Sequence, residues 1–132
     1  MINKLKNPDL GLLLIRVGLA LVFIIHGWGK WQNLDGTVGF FGGLGLAAFF
    51  AYLVATVEVL AGLAMLLGVW VDWAGLLLAA VMFTAIYLVK FDMGFVGGYE
   101  FDLMLLLSAL GVAMMGSGAY TINGWMKKLM NG

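Results

Sequence analysis

A chain of 132 residues that is 64% hydrophobic, 11% charged and formally neutral does not have the polar surface of a water-soluble domain, which carries about a quarter charged residues. Neutrality gives no electrostatic ground for a nucleic-acid partner. The absence of cysteine excludes disulfides, thiolate redox chemistry and thiolate-held clusters within the chain. What remains is an all-α polytopic membrane protein, a single domain over residues 1–132 with the lipid bilayer as its solvent.

A helix needs about 20 apolar residues to cross about 30 Å of hydrocarbon. Four segments qualify, predicting a four-helix transmembrane bundle with both termini on the same side. The first runs over 9–31, with Asn7 as N-cap and Pro8 at the first helical position. Lys4 and Lys6 ahead of an apolar run have the layout of a signal peptide. The run continues into HGWGKW without a small-x-small site, however, so it reads as an uncleaved span. NLDGTVGFFGGLG (33–45) reads as a re-entrant or interfacial loop. The second and third spans, 46–70 and 73–90, are separated by so short a turn that they must be antiparallel neighbours, and Asp72 is the expected cap of the third. FDMGFVGGYE (91–100) is a second glycine-rich loop on the side of the first. The fourth span, 100–118, is broken by Gly116 and Gly118. The tail GWMKKLMNG reads as a short interfacial anchor with its lysines toward anionic headgroups. A faint repeat relates the halves: in each, a lysine ends the first helix and a glutamate lies in the second.

Lys4, Lys6, Lys127 and Lys128 fall on the side of the termini, Lys30 and Lys90 on the other. Four against two places both termini in the cytoplasm by the positive-inside rule.

Within the spans the ionisable residues stand out. At about 100° per residue, Lys30 falls roughly 40° and His26 roughly 80° around the axis from Arg16. The three basic groups therefore share a stripe with Phe23 and Gly27. A charge at the bilayer centre costs about 2.5–3.5 kcal/mol on insertion scales, so this stripe is expected to face inward. Glu58 sits in the middle of the second span, on a face with Ala51, Ala55, Ala61 and Gly62 that admits a close neighbour. It must be either protonated or ionised against a cation, and Arg16 is the favoured counter-charge. Glu100 and Asp102 lie about 200° apart on the fourth helix. Glu100 is expected inward, near His26, Lys30 and Lys90, and Asp102 outward, toward headgroups or as a cap. Arg16, His26, Glu58 and Glu100 thus form the expected intramembrane polar pocket or proton-transfer site, with Lys30 and Lys90 as supporting outer-side charges. Each residue also has a plainer role open to it. Arg16 can snorkel, His26 can be structural, Lys30 and Lys90 can be interfacial anchors, and Glu100 and Asp102 can complement the helix dipole.

No catalytic residue is assigned. One histidine cannot ligate haem twice, and a lone histidine with scattered carboxylates does not make a metal site, so neither metal nor haem is expected. The glycine-rich loops match no phosphate-binding or dinucleotide fingerprint.

The chain resembles the DoxX family of small four-helix bacterial membrane proteins. The resemblance is carried by an Arg-bearing first span ending in HGWGK (26–30), GTVGFFGGLGL (36–46), EVLAGLAMLLGV (58–69), Glu100 opening the fourth span, and GSGAYTIN (116–123). In the last motif Ser117, Ala119 and Asn123 stand where proline, arginine and aspartate are common. The resemblance implies a multi-pass protein of the bacterial inner membrane. It also implies a subunit of, or accessory to, a quinone-linked oxidoreductase complex, with quinone as the ligand, a membrane or peripheral oxidoreductase as partner, and no covalently bound cofactor. Having no electron carrier of its own, the chain is at most a cofactor-free subunit of such an enzyme. Two other readings stay open on the residues: a non-enzymatic assembly or scaffolding protein, and a small proton-linked carrier working as a homo-oligomer.

Overall fold

The computed structural model describes residues 2–132, and among them there are helices and turns but no strands. α1 (Pro8–Gln32) starts as its sequence signals: the Asn7 side-chain oxygen accepts from the Leu10 N–H at 3.0 Å, and Pro8 takes the first position. The segment 33–45, expected as a loop, contains a helix, α2 (Leu34–Gly43), because the Asn33 side chain accepts from the Gly36 N–H and caps it. α3 (Ala48–Leu67) stops at Gly68, whose φ of +74° allows its N–H to close back on the Ala64 carbonyl. A turn of three residues leads to α4 (Val71–Ala85). Asp72 does not cap it: the capping position is Trp70, with no side-chain cap bond, and Asp72 lies in the first turn.

Beyond α4 the chain keeps winding through a wide π-helical turn, Ile86–Lys90, and a tight turn, Phe91–Met93. The third apolar span therefore runs Val71–Met93, longer than expected. The fourth, Phe95–Met115, opens with an irregular turn closed by the Tyr99 N–H on the Gly94 carbonyl at 3.0 Å, and continues as α5 (Glu100–Met115). α6 (Ile122–Asn131) follows, capped by the Thr121 hydroxyl on the Gly124 N–H. Among the described residues, four helices are thus long and apolar enough to cross a membrane.

The bundle is two tight pairs, α1 with α3 and α4 with α5, joined through α3 and α4 and closed by α5 against α1. Glycine sets the approach in both pairs. A Cβ on Gly27 would stand 2.9 Å from the Ala55 carbonyl oxygen and from Glu58 Cβ, and one on Gly75 would stand 2.6 Å from the Ala109 carbonyl oxygen. Leu19, Phe23, Met65, Leu78 and Val112 fill the core between the pairs. Leu14, Leu21, Leu60, Trp73 and Met104 are exposed on the outside, where acyl chains are the solvent. The Ala119 N–H donates to Asp9 Oδ1 at 3.0 Å. The start of the first span and the end of the fourth therefore meet at one end of the bundle.

Candidate functional site: a charged cleft at one end of the bundle

The basic stripe of α1 faces inward as its spacing requires, but its members serve opposite ends of the molecule. Arg16 is fully buried and pairs with no carboxylate among the described residues. Its Nε donates to the Met65 carbonyl at 2.9 Å, its Nη1 to the carbonyls of Ser117 and Tyr120 at 2.8 and 2.7 Å, and its Nη2 to the Leu66 carbonyl at 3.3 Å. The last turn of a helix leaves carbonyls without intrahelical partners, and its partial negative charge attracts a cation. The guanidinium fork satisfies α3 at that end and ties the α5–α6 connection to it. A Cβ on Gly68 would collide with this guanidinium, so glycine there both reverses the chain and leaves room for Arg16. Snorkelling is excluded, and so is the pairing of Arg16 with Glu58.

The partner of Glu58 is Lys30, with Nζ 2.7 Å from Oε2. Glu58 is mid-way along α3, yet it packs level with Gly27, about one turn from the end of α1. Lys30 lies three residues farther, about 4.5 Å along the axis, so its flexible stem need only reach back one turn. Glu58 is 3% exposed and the Lys30 side chain 26%. The second half repeats the arrangement: Lys90 Nζ lies 3.3 Å from Asp102 Oδ2. That carboxylate oxygen is buried and has no aligned hydrogen bond, so the Lys90 ammonium neutralises it by proximity alone.

Asp102, not Glu100, is therefore the inward acid of α5. The two do point opposite ways, but the buried face of the helix is the one carrying Asp102, Ala109 and Val112, whereas Met104 and Leu107, on the side of Glu100, are exposed. Glu100 makes no ion pair among the described residues. The sequence alone cannot choose between these faces, because the choice depends on how the irregular turn before α5 sets its rotation.

Both pairs line one cleft of about 630 Å³, together with His26, whose side chain is exposed into it. Apart from Thr84, whose hydroxyl donates to the Ala80 carbonyl, the rest of the lining is apolar, with Phe23 from α1, Phe40 and Phe41 from α2, Val57 from α3, and Val81 and Leu88 from the third span among it. Of the expected pocket, His26 and Glu58 are brought together with Lys30 and Lys90. Arg16 and Glu100 are not, and Asp102 joins unforeseen. The cleft thus holds two ammoniums and two carboxylates in an apolar wall, a balanced set that can donate to an acceptor on a ligand and exchange a proton with it. Among the described residues no three His, Asp or Glu side chains cluster as a metal site would need.

Comparison with known proteins agrees with this architecture. The DoxX family profile matches residues 11–91. CatD of Bacillus subtilis (strain 168), provisionally named an oxidoreductase, is 38% identical over 112 residues, covering 85% of this chain and 84% of that protein. The inner membrane protein YqjF of Escherichia coli (strain K12) is 32% identical over 128 residues, covering 93% and 97%. No solved structure matches.

Proposed function

The chain belongs to the DoxX family, and from that premise we propose that it is an accessory subunit of a membrane oxidoreductase whose cleft receives a quinone. The observation that carries this is the convergence of Lys30–Glu58 and Lys90–Asp102 in one apolar cleft. Its volume lies within the range of small-molecule sites, about 300–1,000 Å³. A quinone supplies two ring carbonyls as hydrogen-bond acceptors and a capacity for two electrons and two protons; the electrons must come from a partner. Lys30 and Lys90 donate toward such carbonyls, Phe40 and Phe41 cover a ring, and Glu58 and Asp102 hold or release protons beside it. His26 is a further donor at the rim. The excess of lysines beside the termini supports a bacterial inner-membrane protein with both termini in the cytoplasm, which turns the cleft toward the outer leaflet.

The test is equilibrium binding of a short-chain quinone to the purified protein in lipid nanodiscs. The expected result is saturable binding that weakens at least about tenfold in Glu58→Gln and Lys30→Met, about 1.4 kcal/mol each, at unchanged membrane abundance. Wild-type protein that binds no quinone, or variants that bind as well as wild type, would overturn the reading. Loss of folded protein in Glu58→Gln with no binding by wild type would leave the pairs as fasteners of helix register, the role of a scaffold.

A further inference from the structure

Net neutrality conceals an axial separation of charge. The end holding the termini carries Lys4, Lys6, Arg16, Lys127 and Lys128 against Asp9 and Asp72; the cleft end carries two basic residues against five acidic ones. At the termini end Arg16 is buried and Asp9 is engaged by the Ala119 N–H, so the four lysines dominate what that end presents. No acidic residue follows Asp102 in the chain.

α6 lies among these lysines, and its two faces separate cleanly. At about 100° per residue, Ile122, Trp125, Met126, Leu129 and Met130 occupy one sector roughly 140° wide; Asn123, Lys127, Lys128 and Asn131 occupy the opposite one. None of its residues is buried, and Trp125, Met126, Leu129 and Met130 are all exposed. The bundle therefore does not cover the apolar face. Nor is α6 free to leave the bundle end, because the connection leading to it is pinned by Arg16 on the Ser117 and Tyr120 carbonyls and by Asp9 on the Ala119 N–H. An apolar helix face held beside the end of a membrane span and flanked by lysines, with Asp9 already engaged by the Ala119 N–H, matches the boundary between acyl chains and negatively charged headgroups.

We infer that α6, with the N-terminal lysines, is a binding surface for anionic phospholipid in the leaflet at the termini end. Lys127 and Lys128 meet headgroup phosphates while Trp125 and Leu129 enter the acyl region. Ile2 and Leu5, exposed beside Lys4 and Lys6, repeat this pairing of apolar and basic residues at the same end.

The chain has no cysteine, so a bimane probe can be attached through Leu129→Cys in the otherwise complete protein. In nanodiscs the probe is challenged with brominated phosphatidylglycerol diluted into phosphatidylcholine, and with brominated phosphatidylcholine equally diluted into phosphatidylglycerol. The expected quenching is at least about twofold greater in the first, with up to about a fivefold fall in lipid preference for each lysine removed, and no preference in K127E/K128E. A probe at Asn123→Cys should instead be quenched by aqueous iodide. Equal quenching in the two lipid mixtures overturns the anionic preference. Iodide quenching at Leu129 shows the face in water, and shielding from both quenchers shows it under a protein; either overturns the proposal.

Discussion

At the end of the bundle where α1 begins, one guanidinium is taken up by four carbonyl oxygens. At the end where α1 stops, two ammoniums meet two carboxylates along an apolar cleft. Both ends place basic side chains of the same helix stripe inside a protein meant for lipid, but the partners differ in kind. Carbonyls at a helix end and in a folded connection cannot accept or lose a proton at neutral pH, and they hold a fixed fork through four hydrogen bonds. A carboxylate beside a lysine can exchange protons and can trade its partner for a ligand. The first arrangement holds the structure together; the second suits chemistry.

The comparison is broken most severely by Arg16→Met. Four carbonyls would lose their donor and the α5–α6 connection its anchor; at about 1.5–3 kcal/mol per hydrogen bond to a charged group we expect a loss of at least about 3 kcal/mol, measured by denaturant titration in bicelles. Arg16→Lys should recover only part of it, since an ammonium lacks the planar fork. Stability unchanged in Arg16→Met would remove the fastening role. Next in size is Gly27→Ala, which drives a methyl group against Ala55 and Glu58 and should cost about 1–3 kcal/mol. Gly18→Ala, on the same helix with open space around it, should stay within about 0.5 kcal/mol. If the two variants behave alike, the close α1–α3 contact is wrong. Asp102→Asn should cost about 1 kcal/mol, less than a tightly bonded pair, because Lys90 is 36% exposed and meets its acid without an aligned bond. The smallest effect belongs to Glu100→Gln, within about 0.5 kcal/mol. A larger loss there than in Asp102→Asn would show that the wrong acid has been placed in the cleft.

Much of the architecture was legible in residue order. The number of spans, the Asn7-Pro8 start and the small-residue face around Glu58 follow from hydropathy and helical period alone; the span ends do not, since the third runs on to Met93 and the fourth opens at Phe95. The inward turn of the α1 stripe was also readable, because burying Arg16 outside the bundle would be costly. What escaped was partner choice. A search for the counter-charge of Arg16 looks for carboxylates, whereas its acceptors are backbone carbonyls that any residue type could supply. Favouring Arg16 for Glu58 rests on the need of a permanent cation for a counter-charge, but the actual partner depends on the stagger between α1 and α3, which Gly27 sets by close contact. Helical period puts Asp102 and Glu100 on opposite faces, as found, but does not say which face is buried, and it is that of Asp102. The irregular turn at Phe95–Tyr99, read as part of a loop, sets the rotation of α5, and no periodicity crosses it. The wide turn at Ile86–Lys90 likewise gives Lys90 its aim, and turns of this kind recur at functional sites. The faint repeat holds only in part: a lysine–carboxylate pair forms in each half, but in the second half the acid is Asp102 and not the glutamate of the repeat, Glu100.

The division of labour between the two ends rests on Glu58 belonging to Lys30 and not to Arg16. A pair of double-mutant cycles in membrane-reconstituted protein, Lys30→Met with Glu58→Gln and Arg16→Met with Glu58→Gln, measures this by denaturant titration. The account predicts a coupling of at least about 1.5 kcal/mol for the first cycle and within about 0.5 kcal/mol for the second. The reverse order, with Glu58 coupled to Arg16 and indifferent to Lys30, would contradict it.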